Sequence, residues 1–183
     1  SMTKPVTGVA LMMLHEQGLW EFDDPVSKHA PELAGLQIMS SYDEDGNMEL
    51  VAPTREPTMR ELLNHSAGYG YGLSGNDPVN TAFRDLGVLA SEDLDDLIAK
   101  VSEIPLLFEP GERWSYSISV DIQGYIVQRL SGMRFGDFLE QNIFAPLAMS
   151  DTRFFVKAED VDRFAEVHNW DVGPLAPIRE EKL

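Results

Sequence analysis

Hydrophobic positions in residues 3–17 recur with the period of a helix. Val6, Val9, Ala10, Met13 and Leu14 follow the i, i+3, i+4, i+7 spacing, and Gly18 stands where such a helix stops. Leu11 and Met12 fall outside that stripe, so apolar side chains cover most of the circumference. The pattern predicts a helix buried inside a larger body. A second helix is expected over about 119–131, with Ile122, Tyr125, Ile126 and Leu130 on one face and Gly132 closing it. A third, about 135–144, carries Phe135, Phe138, Leu139 and Ile143 and ends before Pro146. Residues 91–103 are acidic and helix-compatible. Thr58-Met59-Arg60-Glu61 has the spacing of a capping box, opening a short helix through Leu62 and Leu63.

Between these segments the pattern breaks. GLWEFDDPVSKHAPEL is rich in turn residues, and LQIMSSYDEDGNMELVAP predicts a hairpin around Asp45-Gly46. Asp43, Asp45 and Asn47 invite a calcium-loop reading. The glycine, however, stands at the fourth loop position rather than the sixth, and no glutamate stands at the twelfth, so a turn is expected. In HSAGYGYGLSG no strand precedes the glycines and no Gly-Lys-Ser/Thr follows, which removes a phosphate-binding loop. Gly72-Leu73-Ser74 lacks the glycine at 76 that a nucleophile elbow needs. The segment is expected to be a flexible loop at a pocket mouth, with Tyr69 and Tyr71 facing substrate.

Length and composition sharpen the picture. A chain of 183 residues with 43% apolar and 25% charged residues is expected to form one globular domain, 1–183. A formal net charge of −17 repels phosphate backbones and anionic lipid, arguing against nucleic-acid or membrane partners. The same acidity also serves solubility. The absence of cysteine removes thiol catalysis, disulfides and thiolate metal sites. No signal-like leader or membrane-spanning run is legible, which gives a cytoplasmic expectation. His15, His29, His65 and His168 are scattered without zinc spacing, so neither a metal nor another cofactor is expected. Asp23-Asp24 and the acidic run at 92–96 read as a turn and a solvated face.

The candidate chemistry lies at Ser1-Met2-Thr3-Lys4. On a helix, i and i+3 share a face, so the Lys4 amine comes within reach of the Ser1 hydroxyl. A serine hydroxyl needs a neighbour to take its proton, and a lysine kept neutral by its setting can do so. An amino-terminal serine also permits its own α-amine as base. Alone, this spacing is common in proteins and decides nothing.

Four stretches in order resemble the serine β-lactamase and penicillin-binding superfamily, in particular its family VIII carboxylesterase branch. SMTKPVTGVALMMLHEQGLWEFDDPVSKHAPEL is similar to the nucleophile helix and its continuation. PTMRELLNHSAGYGYG resembles the family's Leu-Leu-x-His-x-Ser-Gly stretch, with Ala67 where that pattern has Ser. PGERWSYSISVDIQGYIVQRLSG resembles the segment with the catalytic tyrosine, and FLEQNIFAPLAMSDTRF the helix and Met-x-x-Thr turn. The resemblance implies Ser1 as acylated nucleophile, Lys4 as proton partner and Tyr116 as shared general base. It leaves His65 a structural role.

Penicillin-handling members carry an asparagine two residues after this tyrosine. Here that position is Ile118. The departure implies a substrate contact suited to simple acyl esters, with β-lactam turnover secondary. β-Lactamase or D-Ala-D-Ala peptidase activity is the alternative, and a non-catalytic binding module the second. The implied partner is a small-molecule ester. The implied fold is α+β, β-lactamase/transpeptidase-like, this chain being mainly its helical part with a short hairpin. The family's Lys/His/Trp-x-Gly strand, which supplies an oxyanion-hole N–H, is not legible before Leu183. Nor are strands ahead of the nucleophile helix, so a longer enzyme is expected.

Overall fold

The computed structural model describes residues 1–165 and the backbone of 168–169 and 176–177. Where the length suggests one domain, the backbone divides into two compact units, Ser1–Ala148 and Met149–Leu183.

In the first unit, α1 (Thr3–Glu16) ends as its sequence predicts. Gly18, at φ 73°, donates to the His15 carbonyl and Leu19 to the Leu14 carbonyl, the paired bonds of a left-handed helix terminus. The buried face has a different phase from the expected stripe: Thr7, Ala10, Leu11 and Leu14 are buried, whereas Val9 is exposed. Both phases satisfy the helical period on an almost wholly apolar cylinder, so periodicity could not choose between them. The neighbour that chooses is α6 (Ser119–Ser131), against which α1 packs.

That helix is the hub. Residues 122–127 are buried on every side, because α1, α2 (Val26–His29), α3 (Met59–Leu63), α5 (Leu94–Val101) and α7 (Phe135–Leu139) all lie against it. Gln123 sits in this core without penalty because its amide donates to the Leu62 carbonyl at the end of α3, 3.0 Å away. The expected third helix begins as α7 and continues as a π-helical turn over Glu140–Phe144.

The capping box is present: Thr58 Oγ1 accepts from the Glu61 amide, and the Glu61 carboxylate accepts from the Thr58 amide at 2.9 Å. Glu61 is also paired with Arg55. Burial raises its pKa, but the Arg55 guanidinium and Thr58 amide outweigh this and hold it below the ordinary carboxylate range. Asp24 has a larger role than a turn residue. It accepts from the Glu21 amide, Lys28 Nζ at 2.7 Å and His29 Nε2 at 2.9 Å, fixing the start of α2.

The hairpin forms between β1 (Ile38–Tyr42) and β2 (Met48–Val51), antiparallel with an irregularity between Met39 and Ser41. Asp43 organises its turn by accepting from the Asp45 and Asn47 amides and the Asn47 side chain. The carboxylate is thus occupied in the turn. One segment without a sequence expectation is helical: α4 (Pro78–Asp85), capped by Asp77 accepting from the Asn80 amide.

The second unit holds a 3₁₀ turn over Ala158–Arg163 and a two-residue antiparallel pairing of 168–169 with 176–177. Arg153 bonds Asp160, and Arg163 bonds both Asp151 and Asp160. The His168 side chain lies outside the described residues. Among the described residues, no helix is long and apolar enough to cross a membrane.

Candidate active site

The expected loop after α3 is largely packed rather than flexible. Residues 67–70 are buried, and only 73–76 are exposed throughout. Glycine is required at position 70 by close approach: a Cβ there would stand 2.9 Å from Phe83 Cε2 and 3.1 Å from Val79 Cγ1, both on α4. This loop is the template on which residues 115–118 are laid. Ser115 donates to the His65 carbonyl at 2.9 Å, and Ile118 donates to the Gly70 carbonyl at 3.0 Å. Tyr116, between these two anchors, is turned outward and is partly exposed.

Ser1, one residue ahead of the helix N-cap Met2, and Lys4, in the first turn of α1, complete the cluster. Lys4 Nζ donates to Ser1 Oγ at 2.9 Å, and Ser1 Oγ lies 2.9 Å from Tyr116 Oη. Lys4 Nζ also stands 4.7 Å from the centre of the Tyr116 ring, within cation–π range. The three expected reacting groups therefore meet at one oxygen. The Lys4 side chain, and then the Ser1 hydroxyl, hold the Tyr116 phenol below the ordinary tyrosine range. A depressed phenol is what a base drawn from tyrosine requires.

Aromatic rings surround the phenol. His65 lies 5.2 Å from the Tyr116 ring, Tyr71 5.4 Å and Trp114 6.4 Å, centre to centre. Tyr71 thus borders the reacting groups as expected. Burial, with the charge of Asp121 second, pushes its phenol up to about 12, leaving a neutral hydrogen-bond donor.

Two expected substrate-facing residues are placed elsewhere. Ile118 is fully buried at the entry to α6, its side chain in the core. Tyr69 is 2% exposed, and among the described residues its hydroxyl has no hydrogen-bond partner. Burial, and then the charge of Glu56, drive its phenol above the ordinary range. Both are corrections with one cause: the backbone stretches that carry them, 67–70 in the loop and 117–119 at the entry to α6, are packed into the core, whereas Tyr71 is half-buried and Tyr116 exposed.

Asp121 was missed by sequence reasoning. It is a half-buried carboxyl in the first turn of α6, held above the ordinary carboxylate range by burial, which outweighs a backbone hydrogen bond and the charge of Lys4, and its own charge raises both Tyr71 and Tyr116. The available signal was an acidic residue interrupting an apolar helix start. Among the described residues, no group of three or more histidines and carboxylates converges as a metal site.

Helices around a buried central helix, with a serine and lysine one turn apart meeting a distant tyrosine, define the β-lactamase-like fold class. The chain belongs to the beta-lactamase family, whose pattern matches residues 1–181. It is 31% identical over 177 residues to lovastatin esterase from Penicillium rubens, covering 96% of this chain and 44% of that protein. Against esterase EstB from Burkholderia gladioli it is 32% identical over 184 residues, covering 98% and 42%. Among solved structures, it matches EstCE1, a hydrolase with promiscuous acyltransferase activity, with a TM-score of 0.79 and 28% identity, covering 98% of this chain and 44% of that one. The chain thus spans less than half the length of the relatives it matches.

Proposed function

We propose that this chain carries the nucleophilic half of a serine carboxylesterase that works through an acyl-enzyme. The observation that supports it is the double contact at Ser1 Oγ, 2.9 Å from both Lys4 Nζ and Tyr116 Oη. In the first step the Tyr116 phenolate, assisted by Lys4, takes the Ser1 proton as Oγ bonds to the acyl carbon. The tetrahedral adduct collapses, its ester C–O bond breaks, and the proton on Tyr116 passes to the departing alkoxide. Water then attacks the acyl-serine, giving its proton to the same phenolate. The acid leaves as Ser1 is reprotonated.

An alcohol in place of water would carry out acyl transfer by the same route, a reading favoured by the likeness to EstCE1. Ester selectivity does not need Ile118 as a contact. With that side chain buried, the position offers no polar amide to an acylamino substrate. The remaining wall is aromatic, from Trp114, Tyr116 and Tyr71.

The test is turnover of p-nitrophenyl butyrate by the intact protein and by Ser1→Ala. Loss of turnover in the variant, with a butyryl mass increment trapped on Ser1 of the parent, is expected. Equal rates for the two proteins would end the proposal. Nitrocefin turnover in the same preparations separates esterase from β-lactamase.

A further inference from the structure

The ring against Tyr116 makes contacts that a packing residue does not need. His65 Nδ1 lies 3.3 Å from the Ser117 amide, which donates to it, and 3.1 Å from Ser117 Oγ. The backbone carbonyl of His65 accepts from Ser115 at 2.9 Å. One residue therefore grips the chain on both sides of Tyr116, while its ring packs on the phenol ring at 5.2 Å with a 30° tilt. It does so from φ 62°, a conformation that costs a non-glycine residue free energy and that histidine tolerates better than most.

A backbone N–H is only a donor, so Nδ1 must be an acceptor. In a neutral imidazole the proton then sits on Nε2. Burial lowers the His65 pKa, and the charge of Lys4 lowers it further, which keeps the ring in this form. Facing the ring are Tyr116, Trp114 and Ser117 from its pairing partner and Lys4 from α1. Tyr71 and Asp121 act on Tyr116 rather than on His65.

We propose that His65 is a positioning residue that holds the Tyr116 hydroxyl on Ser1 through the Ser117 hydrogen bonds, and that its protonation releases this hold. The inference rests on Ser1, Lys4 and Tyr116 being the reacting groups. It adds a second, acidic switch to the site. Once Nδ1 gains a proton it can no longer accept from the Ser117 amide, and a new cation stands beside Lys4.

The experiment compares the intact protein with His65→Asn and His65→Phe. Asparagine tolerates the left-handed backbone and offers an acceptor where Nδ1 was, without titrating near neutrality. Phenylalanine keeps a ring and loses the acceptor. Tyrosinate absorbance, with Tyr116→Phe as the subtraction control, reports the Tyr116 titration independently of turnover. The midpoint is expected to rise toward that of a free tyrosine in His65→Phe, with kcat falling by about 10²-fold, as for a misplaced catalytic group. His65→Asn is expected to keep both. On the acid side, kcat/KM of the parent should steepen from first to second order in protons, and that extra order should vanish in His65→Asn. An unmoved Tyr116 midpoint in His65→Phe, or nitrogen NMR placing the proton on Nδ1, would overturn the positioning role whatever the activity. Equal rates for parent and Ser1→Ala would instead overturn the hydrolase reading and leave the titration result standing.

Discussion

Ser1 Oγ and Tyr116 Oη are 115 positions apart in the chain and 2.9 Å apart in space. Nothing local joins them. One stands just ahead of α1, the other on a segment pinned to the loop after α3, and the packing of α1 on α6 closes the distance.

The first prediction concerns pH. Lys4 and Ser1 lower the Tyr116 pKa, and the reacting form is the phenolate. Esterase kcat/KM should therefore rise with pH through the Tyr116 pKa, below the ordinary tyrosine value of about 10, and level off above it. Replacing Lys4 with Ala should move that limb upward and lower the plateau by about 10²–10⁴-fold, because a proton partner is lost too. Stopped-flow pH profiles on parent and variant check both effects.

Gly70 is the second. An alanine Cβ must displace the Phe83 ring, an overpacking that costs about 1–3 kcal/mol. The same residue's carbonyl anchors Ile118, two positions from Tyr116, so Gly70→Ala should lower kcat as well as the denaturation midpoint. Adding Phe83→Leu should restore much of both. Urea melts and initial rates of the double variant decide it.

Asp24 gives an acid-stability prediction. Burial raises its carboxyl, but hydrogen bonds from Lys28, His29 and the Glu21 amide outweigh this and set it at about 2. The folded pKa is depressed below the unfolded value, so its stabilisation is fully present above about pH 4 and is lost as pH falls toward 2. Asp24→Asn should weaken the fold at neutral pH, and the difference from the parent should shrink steadily as pH falls from about 4 through 2. Denaturant titrations across this pH range test this.

Leu11 supplies the fourth. It is fully buried against the hub, and Leu11→Ala should cost about 2–5 kcal/mol by cavity formation. Thermal unfolding of the variant reads it directly.

Leu11 also shows where sequence legibility ended. The limits of α1, the capping box at Thr58 and Glu61, the hairpin and the span of α6 rest on local signals, and local signals are written in order along the chain. The phase of the buried face of α1 depends on α6, which the one-dimensional pattern does not specify. α4 was missed because Asp77-Pro78 begins a helix straight after a glycine-rich stretch that reads as loop. At the candidate site, a spacing and a family resemblance picked out Ser1, Lys4 and Tyr116, the reading of 68–72 as a pocket mouth picked out Tyr71, and these four cluster. Tyr69 and Ile118 were assigned by their place beside the motifs, and packing of the loop and of the entry to α6 into the core, which the sequence does not specify, takes them inward. The gripping contacts of His65 involve its carbonyl and one ring nitrogen, which no residue pattern records.

The amide of Gln123, deep in the hub helix, holds the Leu62 carbonyl near the end of the helix that leads into His65, while the hub helix itself begins just after Tyr116. Both arms of the site are thereby bolted to a common foundation. Jostling of the surrounding helices would tend to carry histidine and phenol together, preserving their mutual aim.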